Sequence, residues 1–211
     1  MFFSKRSEPD NHPAYPHFSL DLRIGAILAV DVAEALRFEG LGLTIAPPQG
    51  ELLVEALSST ALFGLTLVRA YAKQGEDAYL FQFNQDGAGA LLDVSFFRLL
   101  QEIRPATAAD WGLWLNAGGL IGGKDLNAPN GQTYLRQWGD GDYAPPVAVE
   151  ELIFADPKAP PRLVAHQMHL YAREVGEENE NMLVSADTEP EAALVRAWIG
   201  LDLTPYGVKV Y

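Results

Sequence analysis

Three side chains that could recognise a ligand or a partner stand two residues apart in the second half of the chain: Tyr134, Arg136 and Trp138. Alternate residues of a strand share one face, so a strand here would align the phenol, the guanidinium and the indole in one row. These residue types are enriched at binding hot spots, and they can equally form a stacked structural ladder. The spacing leaves both alternatives open.

Two further residues, Glu150 and Tyr171, complete the set of candidate binding residues. Glu150 and Glu151 are adjacent on a predicted strand, so one of them faces inward or toward Arg136. A buried Arg136–Glu150 ion pair is our structural hypothesis for this part of the chain. Tyr171 lies on a long predicted strand, on the face opposite to His166.

A glycine-rich segment, GGLIGGKD at residues 118–125, matches most of the phosphate-binding G-x-x-x-x-G-K-[ST] pattern. Asp125 occupies the position where a hydroxyl should reach magnesium, and its carboxylate would repel a phosphate. A predicted helix also precedes the loop where a strand is required. We therefore interpret the segment as a connector.

The other polar residues form no catalytic or metal-binding pattern, so we predict no catalytic residue, no metal and no cofactor, and we favour a non-enzymatic role. His166 and His169 would point to opposite sides of a strand and could not share a metal. We expect His166 to pack in the core with one hydrogen bond and His169 to be exposed. The chain has no cysteine, which excludes thiolate catalysis and disulfides.

Acidic residues outnumber basic ones 28 to 15, which gives a net charge of −13. Such a field repels phosphate backbones, so no nucleic-acid partner is expected, whereas a cation such as a polyamine would be attracted. The apolar run at residues 24–30 is far shorter than the roughly 20 residues that span a bilayer. We predict a soluble, cytoplasmic protein that is not an integral membrane protein, with its oligomeric state open.

Alternating apolar residues predict a mainly antiparallel β structure. Strands are expected at residues 20–31, within a meander at 51–104, on both sides of an Asp-Gly turn within 132–154, and at 163–174, with a short strand or an extended loop at 35–48. The run 91–103 fits either a helix or a strand, and the run 191–203 fits a strand or a helix that begins at Pro190. One firm helix should start after Thr107, because Asp110 follows in a capping-box-like arrangement and Trp111 and Trp114 share one face. The predicted fold class is therefore α+β, with one or two helices.

The proline-containing segment 1–18 predicts a flexible N-terminal arm, followed by a single α+β domain at 19–211. Tyr71 and Tyr171 each end a long β run before an acidic turn that contains glycine. This echo supports the hypothesis of two similar β-rich halves, 19–106 and 132–211, joined by the helix and the glycine loop. The alternative is that any two hairpins look alike in such a sequence comparison, and we prefer this alternative.

The stretch TYLRQW…APPVAVEELIF, followed by HQMHLYARE and MLVSA, resembles the bacterial YjfK-like family, a domain of unknown function. The opening segment LRIGAILAVD is similar to that family as well. The resemblance implies a soluble bacterial protein without assigned catalytic residues. It also implies a protein partner, since relatives are encoded near phage-shock-like, membrane-stress proteins.

Two functional hypotheses follow from the sequence. The leading one is a non-catalytic protein-interaction module in a bacterial stress or envelope-maintenance assembly, with the Tyr134/Arg136/Trp138 row as its surface. The alternative is an enzyme or a small-ligand-binding protein with a pocket near that row. A pocket with perturbed titratable groups would favour the second, and a flat exposed aromatic patch the first.

Overall fold

Alternation of buried and exposed side chains shapes most of the chain into antiparallel strands. The computed structural model describes residues 14–189 and 192–211, and within these residues it contains twelve strands and two helices. Their bounds are β1 Ile27–Val30, α1 Val32–Arg37, β2 Glu51–Leu62, β3 Leu65–Gln74, β4 Asp77–Gln85, β5 Leu91–Ile103, α2 Ala108–Leu115, β6 Asp125–Asn127, β7 Thr133–Arg136, β8 Val147–Phe154, β9 Arg162–Val175, β10 Glu178–Glu189, β11 Ala192–Leu203 and β12 Val208–Val210.

Eight of the strands close into a barrel in the order β2-β3-β4-β5-β11-β10-β9-β8. Strand β8 completes the ring, because it pairs with β9 along most of its length and with β2 at Leu57↔Phe154. On the other side β5 pairs with β11, as at Leu99↔Trp198. The α+β prediction is therefore wrong. A closed ring gives every barrel strand two neighbours, so the sheet needs no layer of helices to protect its edges.

The sheet branches where β8 ends. The first residues of β2 pair with β1, which in turn pairs with β12, and the last residues of β9 pair with β7, which pairs with β6. The strands of the two predicted halves thus close one ring, with β2–β5 from the first and β8–β11 from the second. The division into domains and the duplication of the halves stay predictions.

Both helices begin at identifiable caps. Helix α2 has the predicted capping box, in which Thr107 and Asp110 bond each other's backbone N–H groups, but Trp111 and Trp114 are only partly buried. Helix α1 follows the cap Asp31 and ends at Arg37, so the prediction of a strand or a loop is wrong for residues 35–37, whereas residues 38–48 form the predicted loop. Neither helix in the part of the chain that the structure describes is long and apolar enough to cross a membrane.

The inner face of the barrel is identified by a cavity whose walls come from seven of the eight barrel strands. On β4, Leu80 and Gln82 point to this inside, and Phe81 and Phe83 point outward. The outward side chains are fully buried in a core shared with residues outside the ring, such as Phe18 and Ile121. Of the predicted arm, residues 1–13 lie outside the described residues, as does Pro190, where the alternative helix would begin.

Candidate functional site in the barrel interior

Five charged side chains form a continuous row across the inner face of the barrel at one end. They alternate in sign around the ring, as Arg69 on β3, Glu151 on β8, His166 on β9, Asp187 on β10 and Arg196 on β11. The successive N···O distances are 2.7, 2.9, 2.7 and 2.8 Å. Each residue occupies an inward position of its strand. The pairing register of the barrel strands therefore brings together charged groups that are far apart in sequence.

Glu151 is the centre of this row and has no exposed surface. One carboxylate oxygen accepts from the hydroxyls of Tyr71 and Ser58, and the other accepts from Arg69 and His166. Burial alone would raise the pKa of Glu151, but the Arg69 guanidinium and the His166 ring outweigh it and hold that pKa well below the usual carboxyl range. The side chain is therefore an anion at neutral pH.

His166 lies between two carboxylates, with Nδ1 2.7 Å from Asp187 and Nε2 2.9 Å from Glu151. A neutral imidazole has a single N–H, so donating to both carboxylates requires the imidazolium form. Burial lowers the pKa of His166, and the hydrogen bonds and charges of the two carboxylates raise it to about 9. The prediction of one hydrogen bond was wrong, because the facing strand β8 supplies a second acceptor.

The cavity beside this row has a volume of about 180 Å³. That space accommodates a few water molecules, at about 30 Å³ each, and falls short of the roughly 300 Å³ of a typical ligand pocket. Because the charged groups already bond one another, this end of the barrel is a closed ionic network and offers no unpaired group to a ligand.

A larger cavity of about 430 Å³ lies at the opposite ends of the same strands. Its apolar wall includes Phe97 and Trp138, and the Trp138 ring packs edge-on against Phe63 at a centroid distance of 5.3 Å. Leu183 borders both cavities and packs in one apolar cluster with Leu80 and Phe97. This apolar layer separates the larger cavity from the ionic network.

Among the residues that the structure describes, the polar wall of the larger cavity contains two carboxylates and no Lys, Arg or His side chain. Asp202 accepts from Ser95 Oγ at 2.6 Å and from Asn181 Nδ2 at 2.9 Å, and Asp93 accepts from Asn84. Within residues 14–189 and 192–211 neither carboxylate forms an ion pair. Burial raises the pKa of Asp93, the Asn84 hydrogen bond opposes this shift, and the negative charge of Asp202 adds to it.

The predicted row at residues 134–138 is not a single surface in the structure. Tyr134 has no exposed area, and its hydroxyl donates to Glu180 at 2.6 Å. Arg136 donates to the carbonyls of Gly122 and Gly141, and Trp138 lies beyond the end of β7. Only Trp138 of the predicted binding residues lines the larger cavity.

The hypothesis of a buried Arg136–Glu150 ion pair is wrong. Glu150 is exposed, and its neighbour Glu151 faces inward and pairs with Arg69. Tyr171 is fully buried, where its hydroxyl accepts from the Gly122 N–H at 2.9 Å and donates to the Leu120 carbonyl at 3.0 Å. Tyr171 therefore holds the glycine-rich segment against the barrel.

Glu180 anchors a second segment. Its carboxylate has no exposed surface, pairs with Arg173 at 2.7 Å, and accepts from the Thr44 hydroxyl at 3.0 Å and from the Tyr134 hydroxyl. The backbone N–H groups of Thr44 and Ile45 also donate to it. These bonds fix the loop after α1 to β10. Because the Tyr134 hydroxyl takes part in them, Tyr134 contributes to the packing of this loop.

Sequence reasoning missed the ionic network although a local signal existed. On β8, Glu151 interrupts an inward-facing alternation of Val147, Val149 and Ile153. A charged residue within an apolar face requires a buried partner. The sequence does not show which residue that partner is, because Arg69 is 82 positions away. His169 was also expected to be exposed, yet it is buried beside Trp138.

The residues described by the structure contain no group of three His, Asp or Glu side chains arranged as metal ligands. The molecule is a closed β-barrel whose interior has an ionic network at one end and a ligand-sized, acidic and aromatic cavity at the other. The model of a family described as protein of unknown function, DUF2491, matches residues 2–209, and the chain belongs to this family. No curated protein and no solved structure matches the chain. The narrower YjfK-like resemblance and the bacterial origin stay predictions.

Proposed function

We propose that the protein binds a small organic cation in the larger cavity of the barrel. The observation that carries this proposal is a ligand-sized space in which Asp93 and Asp202 have neutral partners only, beside the rings of Phe97 and Trp138. A volume of about 430 Å³ lies within the range of about 300–1,000 Å³ found for small-molecule sites.

The chemistry of the wall selects for positive charge. Two carboxylates that share a partly buried space repel each other, and a cation placed between them removes that repulsion. Aromatic faces add a favourable interaction of about 0.5–2 kcal/mol with an ammonium group. An anionic ligand would meet no positive partner on this wall.

A linear polyamine is the ligand class that fits these features best. Its amines can reach both carboxylates while its methylene chain lies against Leu170 and Trp138. The net charge of −13 also attracts such a ligand over long range, so binding should weaken as salt rises.

The interaction-module hypothesis, with its stress or envelope-maintenance assembly, has less support. It depended on an exposed row, whereas Tyr134 is buried and Arg136 bonds backbone carbonyls. The enzyme alternative has no serine or threonine hydroxyl bonded to a histidine ring to support it among the described residues. A cytoplasmic location is compatible with polyamine binding and stays a prediction.

The test is a calorimetric titration with spermidine and putrescine, with glycerol as an uncharged control. The wild type should bind a polyamine saturably. A double variant, Asp93→Asn with Asp202→Asn, should lose about tenfold or more in affinity, since a hydrogen bond to a charged group contributes about 1.5–3 kcal/mol.

The double variant Glu76→Gln with Asp77→Asn is the matched control, because these two exposed carboxylates lie at the start of β4, away from the cavity, and their replacement removes the same two charges. Equal weakening in both variants would indicate non-specific attraction by net charge. Absence of a saturable signal with every amine would refute the proposal. As a second readout, spermidine at 100-fold over its Kd should stabilise the wild type by about 2.7 kcal/mol.

A further inference from the structure

An apolar groove lies beside α1, outside the barrel and distinct from the larger cavity. Its volume is about 520 Å³, and its walls include Val32 and Leu36 of the helix and Pro47 and Pro48 of the following loop. Val32 is 73 % exposed and Leu36 is 60 % exposed. Two adjacent turns of a helix with exposed aliphatic side chains over a groove indicate a surface that is covered by something else.

The groove continues along the surface toward the first described residues of the chain. Val32 and Gly50 border both the groove and a neighbouring depression that ends at Tyr211. Tyr211 in turn borders a third depression, formed with Tyr15 and Pro16. A continuous surface path therefore joins Tyr15 to α1.

The segment that precedes Ala14 has a composition that suits this path. Residues 1–13, MFFSKRSEPDNHP, begin with an apolar cluster that includes Phe2 and Phe3. Eleven residue steps separate Phe3 from Ala14, and an extended chain of that length reaches about 36 Å. The family model also begins at residue 2, so this segment belongs to the sequence that the family shares.

Charge favours the same arrangement. Lys5 and Arg6 are the only adjacent basic residues in the chain. The groove carries Glu39 and the neighbouring depression carries Glu51, both exposed and neither in an ion pair within residues 14–189 and 192–211. The depression also carries Lys209, whose charge is paired with Asp31 at 2.7 Å. The apolar start of the segment and its basic pair thus match an apolar groove with an acidic border.

We infer that the groove beside α1 is the docking site of this chain's own N-terminal segment, with Phe2 and Phe3 against Leu36 and Lys5 and Arg6 near the acidic border. Tethering supports this occupant over a free partner, because a short linker gives the segment an effective concentration in the millimolar range. The inference is independent of the proposed ligand.

Disulfide trapping tests the inference in the full-length chain, which has no native cysteine to interfere. Ser4→Cys is combined with Ala35→Cys, since Ala35 lines the groove and both changes preserve the apolar contacts. The matched control combines Ser4→Cys with Ala109→Cys, an exposed alanine on α2 that does not line the groove. Mild oxidation should form the intramolecular Ser4–Ala35 bridge about tenfold faster than the control bridge.

Adding Phe2→Ser and Phe3→Ser should reduce the trapping rate to that of the control, and these changes leave the described core intact. Equal rates in the two cysteine pairs would overturn the inference. Bridges that form only between molecules, in proportion to protein concentration, would overturn it as well and assign the groove to a second copy.

Hydrogen exchange supplies a second measurement without cysteines. The amides of α1 should exchange faster in the Phe2→Ser/Phe3→Ser variant than in the wild type, and those of α2 should be unchanged. Identical exchange in α1 would count against docking.

Discussion

Replacing Glu151 by glutamine removes one negative charge from the barrel interior and leaves the size of the side chain unchanged. The charges that lose their partner are both buried, with 3 % of the Arg69 side chain and 8 % of the His166 side chain exposed. The amide can rotate so that its oxygen faces these two groups and its nitrogen faces the hydroxyls of Tyr71 and Ser58. Hydrogen bonding is then largely retained, and the change isolates the charge.

Breaking a buried ion pair from one side costs about 3–5 kcal/mol. In a chain of this size, each kcal/mol lowers Tm by about 2–4 °C, so Glu151→Gln should lower Tm by about 6–20 °C. Urea unfolding followed by tryptophan fluorescence measures the free energy of unfolding directly. Glu150→Gln is the control, because this exposed neighbour should change the free energy by no more than about 0.5 kcal/mol.

The pH dependence provides an internal check. A carboxyl whose folded pKa is depressed stabilises the fold above its unfolded pKa, and this contribution is lost as the pH falls. The difference between wild type and Glu151→Gln should therefore be full at pH 7 and shrink below the ordinary carboxyl value of 4.5. A loss of less than about 1 kcal/mol at pH 7, or equal effects in the two variants, would refute the assignment of a buried ionic network.

Two further perturbations concern the same strands. The pKa of His166 is raised from 6.5 to about 9, so protonated His166 contributes fully to the free energy of unfolding below pH 6.5. This contribution, about 3 kcal/mol in all, is lost as the pH rises through 9. Urea unfolding from pH 6 to 10 should show the loss in the wild type and not in His166→Gln. Gly200→Ala should destabilise the fold by about 1–3 kcal/mol, because its Cβ would clash with the Phe96 carbonyl oxygen on the neighbouring strand. Gly87→Ala, in open space, should be nearly neutral in the same assay.

Local sequence signals predicted the elements better than their assembly. The strands predicted at residues 51–85 and the helix after Thr107 were confirmed, since alternation and capping are properties of neighbouring residues, and the run 91–103, which fitted either a helix or a strand, forms β5. Helix α1 had a comparable signal in Asp31 followed by Glu34, but the glycines and prolines after it favoured a loop interpretation. The helix was missed because these glycines and prolines were given more weight than the cap at Asp31.

Barrel closure could not be predicted in the same way. It depends on the pairing of β5 with β11 and of β2 with β8, between strands about 100 positions apart in the chain. Alternation specifies which face of a strand is buried and not which strand lies beside it. The larger cavity follows from closure as well, because Asp93 and Asp202 face each other only when β5 and β11 are neighbours.

The two ends of the barrel interior differ in how their charges are paired, and under the proposed function one end would serve stability and the other binding. At one end the charges are paired and the space is small, so this end ties β3 to β8, β9, β10 and β11. At the other end the carboxylates have neutral partners and the space is larger. The apolar layer of Leu80, Phe97 and Leu183 separates them, which keeps the cations of the network from neutralising Asp93 and Asp202. This unequal pairing of charge supports the proposed cation site at the larger cavity, since a site that is formed before the ligand arrives lowers the cost of binding.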